Sequence, residues 1–205
     1  MSRIGGGGSV RRVLIVPIVH GEEDLGSLAA AVRERKIRRL GSEGWRRSNE
    51  AIDEAWKSVE AFAASLPARI DGWRLYQDGL PVCGREREIV EDLAGRGSRN
   101  HRLLLALADR GGVLTGTESP ALLLEELERA RRGMAASPGA PAEPGPGSPD
   151  PLTRRDAFMA KRISETLPEG ATGILFVGAL HDVARFLPAD VAVERPFSAG
   201  RGKEG

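Results

Sequence analysis

Four apolar runs in this chain each end in, or just before, a residue that can do chemistry. The runs close at His20 (Val19-His20-Gly21-Glu22-Glu23-Asp24), at Asp78 (Leu75-Tyr76-Gln77-Asp78-Gly79), at Glu118 (Thr115-Gly116-Thr117-Glu118), and just before His181 (Phe176-Val177-Gly178-Ala179-Leu180-His181). In an open α/β sheet, ligands bind beyond the carboxyl ends of the strands, so these residues are expected to converge on one edge. Two imidazoles and two carboxylates are the usual ligands of zinc, manganese or ferrous iron. A divalent metal there would acidify bound water enough to make hydroxide near neutral pH, a nucleophile that needs neither serine nor cysteine. Glu118, Asp78 and Glu22 are the candidate general bases.

Each of these residues also has a structural role open to it. His20 and His181 could cap the helices that come after them or bond to loop backbone, and Asp78 before Gly79 could simply make a turn. Glu118 precedes Ser119-Pro120 and could favour a helix N-terminus. Asp156 stands three residues after Thr153, the spacing of a capping box. His101 lies in a helix-start pattern and is expected on the surface or in the core. Cys83 reads as a small, buried or partly buried thiol, and Arg35, Lys36, Arg38 and Arg39 as a solvated helix face. Gly5 to Gly8 precede the first strand, which is the wrong side for a phosphate-binding loop.

The elements that must carry these residues are legible in the apolar pattern. Val13 to Val19 is a continuous β-branched run, the mark of a strand covered on both faces, with Pro17 discordant. Leu25, Leu28, Val32 and Leu40 suggest a helix ended by Gly41. Trp45, Ile52, Ala55, Trp56, Val59, Phe62 and Leu66 then recur at helical spacing up to Pro67. Further strands are expected at 73–77, 113–117, 174–177 and 191–193, and helices at 85–93, after Ser98, after Ser119-Pro120, from Thr153 to Leu167 and over 181–187. Strands alternating with helices imply an α/β fold with a mainly parallel central sheet.

A single α/β domain over residues 10–198 is expected, with flexible tails at 1–9 and 199–205. Six prolines and four glycines between Gly133 and Pro151 read as a disordered loop before the last helix-strand unit. The chain has 205 residues, 40% of them hydrophobic and 29% charged, enough for one modest core. Its formal net charge of +1 gives no reason to expect nucleic acid as a partner. No apolar run is long enough to span a bilayer, and one cysteine permits neither an internal disulfide nor a multi-cysteine metal site. A cytoplasmic protein with a small-molecule or peptide substrate, and no membrane partner, is the expectation; the oligomeric state is open.

Two stretches resemble the superfamily that joins the TraB and pheromone-shutdown proteins with the TIKI and GumN-like proteins, and more remotely the erythromycin-esterase and ChaN-like proteins. Arg154-Arg155-Asp156-Ala157-Phe158-Met159-Ala160-Lys161-Arg162-Ile163 is similar to that family's arginine-aspartate or arginine-asparagine helix. Gly173-Ile174-Leu175-Phe176-Val177-Gly178-Ala179-Leu180-His181 is similar to its closing strand and glycine-x-x-histidine. Val19-His20-Gly21-Glu22 would stand for its first histidine, without the glycine expected three residues earlier, and Gly116-Thr117-Glu118 for its glutamate. The resemblance implies a metal-dependent hydrolase with His20, Glu118 and His181 as metal ligands, and Arg155 and Asp156 as supporting or substrate-binding residues. The bond attacked would be a peptide or an ester. A non-catalytic module of the same fold that captures a small ligand or peptide is the alternative. A chelatase-like metal handler is a further one, since histidine-glycine after a first strand also occurs there.

Overall fold

The computed structural model describes residues 10–21, 29–135 and 150–197. Five parallel strands form one sheet in the order β3-β2-β4-β1-β5: β1 (Arg11–Ile18), β2 (Arg74–Gln77), β3 (Val113–Leu114), β4 (Thr172–Gly178) and β5 (Val191–Glu194). The helices are α1 (Ala29–Ser65), α2 (Glu86–Gly95), α3 (Arg99–Asp109), α4 (Pro120–Ala135) and α5 (Pro151–Thr166), with a 3-10 turn at Val183–Phe186. The fold is therefore α/β with a parallel sheet flanked by helices.

The continuous apolar strands result from burial on both faces. Leu14, Val16, Ile18, Leu75, Ile174 and Phe176 pack with Trp56, Val59, Val90, Leu104 and Leu107 of α1, α2 and α3. Their alternate neighbours Val13, Ile15, Tyr76, Leu175 and Val177 pack with Met159, Ala160 and Ile163 of α5, and with Val183. Leu175 has no solvent exposure. Leu175→Asp would place an unpaired charge between sheet and α5, and should leave no soluble protein on expression, whereas Arg38→Asp on an exposed helix face should express normally. Folded Leu175→Asp protein would contradict the central position of β4.

Several boundaries differ from those expected, each for a local reason. Pro17 is tolerated because β5 pairs with β1 only as far as Leu14, so at Pro17 the strand has a neighbour on one side alone. Val19 lies beyond β1 and is 38% exposed, not buried. The two helices expected on either side of Gly41 succeed one another within α1, which breaks at that residue (φ 71°, ψ 168°), a conformation that glycine adopts without penalty. β3 stops at Leu114; beyond it the Thr115 N–H still donates to Leu75 O, and the segment meets the loop after β2 in a Pro81–Glu118 bridge. The helix expected over 181–187 is reduced to the 3-10 turn. α4 runs past Gly133 to Ala135, shortening the loop expected there, whose remainder at 136–149 lies outside the described residues. No described helix is long and apolar enough to cross a membrane.

Candidate functional site

β1 and β4 are adjacent, and their exits diverge. β1 leads into α1 on one face of the sheet, while β4 leads into the 3-10 turn packed on the other. Such a divergence opens a crevice at the carboxyl ends of the strands. His20 comes after β1 and His181 after β4, so they stand on its two sides, and Asp78, at the end of β2, lies between them.

The contacts are direct. His20 Nε2 lies 2.9 Å from Asp78 Oδ1, and His181 Nε2 lies 3.5 Å from Asp78 Oδ2. Asp78 Oδ2 also accepts the Gly178 N–H at 2.7 Å. A Cβ at position 178 would stand 3.2 Å from Asp78 Oδ2, a tight contact that the carboxylate would have to yield to by a few tenths of an ångström. Asp78 and the His181 side chain are buried, whereas the His20 side chain is 37% exposed. His20 is therefore the part of the cluster that meets solvent.

His181 is fixed from behind. Its Nδ1 lies 2.5 Å from Asp156 Oδ1, while Asp156 Oδ2 accepts the Asp182 N–H at 2.8 Å. A carboxylate only accepts, so Nδ1 carries the proton and Nε2 faces Asp78. This corrects the capping-box reading of Asp156. The cap of α5 is Asp150, whose Oδ2 accepts the Thr153 N–H, with Pro151 opening the helix. Asp156 lies six residues further in, on the buried side of α5.

Glu118 reaches the same corner on a different support. The loop after β2 is bonded to the segment after β3: the Thr117 and Glu118 N–H groups donate to Leu80 O, and the Val82 N–H donates to Glu118 O. The Arg155 Nε and Nη2 groups both donate to Glu118 Oε1, the former at 3.0 Å, and the Gly79 N–H reaches the same oxygen at 3.4 Å. Arg155 Nη1 binds Glu126 Oε2 at 2.5 Å. Glu118 is fully buried, and its Oε2 has no hydrogen-bond partner among the described residues.

Burial and contacts set the protonation of the carboxyls. Burial works against an ionised Asp78, but the His20 hydrogen bond and charge, the Gly178 N–H and His181 outweigh it and hold this carboxyl below its ordinary range. Burial dominates at Glu118 and pushes its carboxyl up, with Arg155 pulling the other way. Burial also disfavours the Arg155 cation, yet Glu118 and Glu126 raise it above its ordinary range. These two directions conflict, since Arg155 gains only from an ionised Glu118. The paired donors on Oε1 decide for the ionised pair at neutral pH.

Asp78 should make stability depend on pH. Its folded value is depressed, so its contribution to stability is complete above the ordinary carboxylate value of 3.8 and is lost as pH falls through the lower folded value. Glu118 has the opposite sign, opposing folding as pH rises through its raised range. The loss of thermal stability between pH 5 and pH 3 should therefore be smaller in Asp78→Asn than in the unmodified chain, measured by circular dichroism. Equal losses would show that Asp78 is not held ionised by these contacts.

Of the residues named from sequence, His20, Asp78, Asp156 and His181 are thus in one chain of contacts. Arg155 and Glu118 form a buried pair beside it, linked through Gly79. Glu22 lies outside the described residues. Arg155 and Asp156 face other side chains and do not line open space. His101 is buried, its Nδ1 lying 2.6 Å from Ser98 Oγ. Cys83 is exposed, against expectation, on a turn whose N–H groups at 83 and 84 donate to Glu86 Oε1.

What the sequence did not disclose is a cleft of about 320 Å³ beside His20 and Gly21, walled by α1 and the start of α3. Trp45, Ile52 and Trp56, read as the apolar stripe of a helix, line it, together with Arg33 and Lys36 from the charged stretch before Gly41.

In donor type the cluster suits a divalent cation: two imidazoles, the Asp78 carboxylate and the unpartnered oxygen of Glu118. The Asp156 contact gives His181 the orientation of a ligating imidazole. In arrangement the side chains pair with each other, and among the described residues no group of three or more His, Cys, Asp or Glu is placed to hold a metal ion. No protein-family model, curated protein or solved structure matches the chain.

Proposed function

We propose that the protein is a hydrolase that attacks a peptide or ester bond with water activated at the His20–Asp78–His181 cluster. The observation that carries this reading is that two of the chain's three histidines, from strands at opposite ends of the sequence, both face one buried carboxylate at the crevice between β1 and β4. A carboxylate held ionised by histidines at the mouth of a crevice is a candidate catalytic arrangement. The resemblance to the TraB and TIKI-like proteins points to the same chemistry.

The residues divide the work. His20 meets solvent and is placed to contact water and the scissile group. Asp78 remains ionised and orients the His20 Nε2–H. Asp156 holds His181 in one tautomer. Glu118 is the strongest candidate proton acceptor, because burial raises its carboxyl above the ordinary range and one of its oxygens has no partner among the described residues. Arg155 holds that carboxylate in place through the other oxygen. A divalent ion (zinc, manganese or iron) held by His20, His181 and Asp78 or Glu118 would supply water acidified to near neutral pH.

The test is metal analysis of protein purified without chelators, with turnover of peptide and ester panels. One equivalent of metal and hydrolysis, both lost in His20→Ala and His181→Ala, is expected. A metal-free protein that turns nothing over but binds a small ligand or peptide would favour the non-catalytic module. That second reading has its own support, the mutual pairing of the site's charged groups. Insertion of metal into a tetrapyrrole without hydrolysis would favour the chelatase-like one.

A further inference from the structure

The cleft beside His20 carries charge that the hydrolytic cluster does not use. Its volume, about 320 Å³, is that of a small-molecule site. Both parts of α1 contribute to it: Arg33 and Lys36 from before the Gly41 break, and Trp45, Asp53 and Trp56 from after it. Arg99 enters from α3, but its guanidinium is already neutralised, lying 2.7 Å from Asp53 and 3.0 Å from Glu60. Asp53, the acidic side chain among the described residues of the cleft wall, is engaged by the same contact with Arg99.

Arg33 and Lys36 are different. Among the described residues neither has a carboxylate within salt-bridge distance. The Arg33 guanidinium lies 5.0 Å from the ring centroid of Trp45, which holds it as a cation against an aromatic face. Lys36 is half-buried on the same wall. Trp56 is buried with its Nε1–H donating to Val19 O and the Arg99 guanidinium 5.7 Å from its ring centroid, so its ring is held in place next to His20. Among the described residues, a guanidinium and an ammonium without a carboxylate partner, in a cleft that also holds Trp45, Ile52 and Trp56, match a ligand with an oxyanion at one end and an apolar body.

We propose that Arg33 and Lys36 bind a carboxylate or phosphate on the substrate, whose apolar body occupies the cleft beside Trp45 and Ile52 and whose scissile bond reaches His20. This rests on the hydrolase reading and adds to it a substrate class: compact organic anions.

The test is binding of phenyl phosphate, phenylacetate and 2-phenylethanol to the full chain, measured by calorimetry at low salt. At least one anion should bind at least about tenfold more tightly than the neutral alcohol, since a charge-assisted contact exceeds the 1.4 kcal/mol that a factor of ten represents. The affinity should fall with added salt. Which anion binds more tightly tells phosphate from carboxylate. Arg33→Gln and Lys36→Gln change the outer face of α1 and should fold normally, and the double variant should lose the preference for anions. His181→Ala, which removes no cleft residue, should keep it.

Equal binding of the alcohol, no binding of either anion, or an unaltered preference in the double variant would each overturn the proposal. Anion binding that persists in a protein without metal or turnover would instead overturn the hydrolase reading and leave the anion site standing. Turnover with no preference for anionic substrates would do the reverse.

Discussion

Arg155→Met should lower the midpoint of thermal unfolding by roughly 10 °C or more, because removing one partner of a buried ion pair costs about 3–5 kcal/mol in a domain of this size. The cost arises at Glu118, which would be left fully buried with an uncompensated carboxylate. Glu126 is half exposed on its side chain and can turn to water. Adding Glu118→Leu to Arg155→Met should therefore recover a large share of the lost stability, by removing the orphaned charge and filling the space with apolar volume. A double variant as unstable as the sum of the two single changes would show that the pair is not coupled in this way.

The second large effect is on turnover. On the hydrolase reading, Asp78→Asn should reduce hydrolysis by about 10²–10⁴-fold, because it removes the carboxylate that orients His20. The amide keeps the shape of the carboxylate and can still accept the Gly178 N–H, but it is no longer a charged acceptor for the His20 Nε2–H. It also presents an N–H group toward one ring in place of an acceptor. The fold should survive, with circular dichroism at neutral pH close to that of the unmodified chain. Asp78→Asn protein with full turnover would remove Asp78 from the mechanism and reduce it to the turn that its position before Gly79 also allows.

The sheet was readable from sequence because its strands are buried on both faces, and double burial writes itself as unbroken runs such as Val13 to Ile18 and Ile174 to Val177. The convergence of His20, Asp78 and His181 was readable for a related reason, since parallel strands send all their carboxyl ends to one edge. What could not be read was pairing within that edge. Asp156 satisfied a capping pattern with Thr153, and nothing local distinguished that pattern from a residue turned inward to His181. The actual cap, Asp150, sits at the end of the proline-rich stretch, where a loop was the simplest reading. The cleft escaped for another reason. Trp45 and Trp56 repeat at the spacing of a packed helix face, and α1 packs only part of that face against the sheet.

The strand order has a consequence for how the protein comes into being. β4 lies between β1 and β2, although it is made long after both, so without it those two strands stand about 10 Å apart with no bonds between them. A nascent chain therefore emerges with β1 complete but lacking both of its lateral partners, β4 and β5. At ordinary synthesis rates of about 5–20 residues per second, that wait is on the order of 10–30 s. During it, Val13-Leu14-Ile15-Val16 is an apolar segment with open edges, the kind that recruits other chains. Yield in a cell should thus depend on what shields this segment on the ribosome. Slower elongation before β4 should lower it, and a holdase chaperone that covers the first strand should raise it.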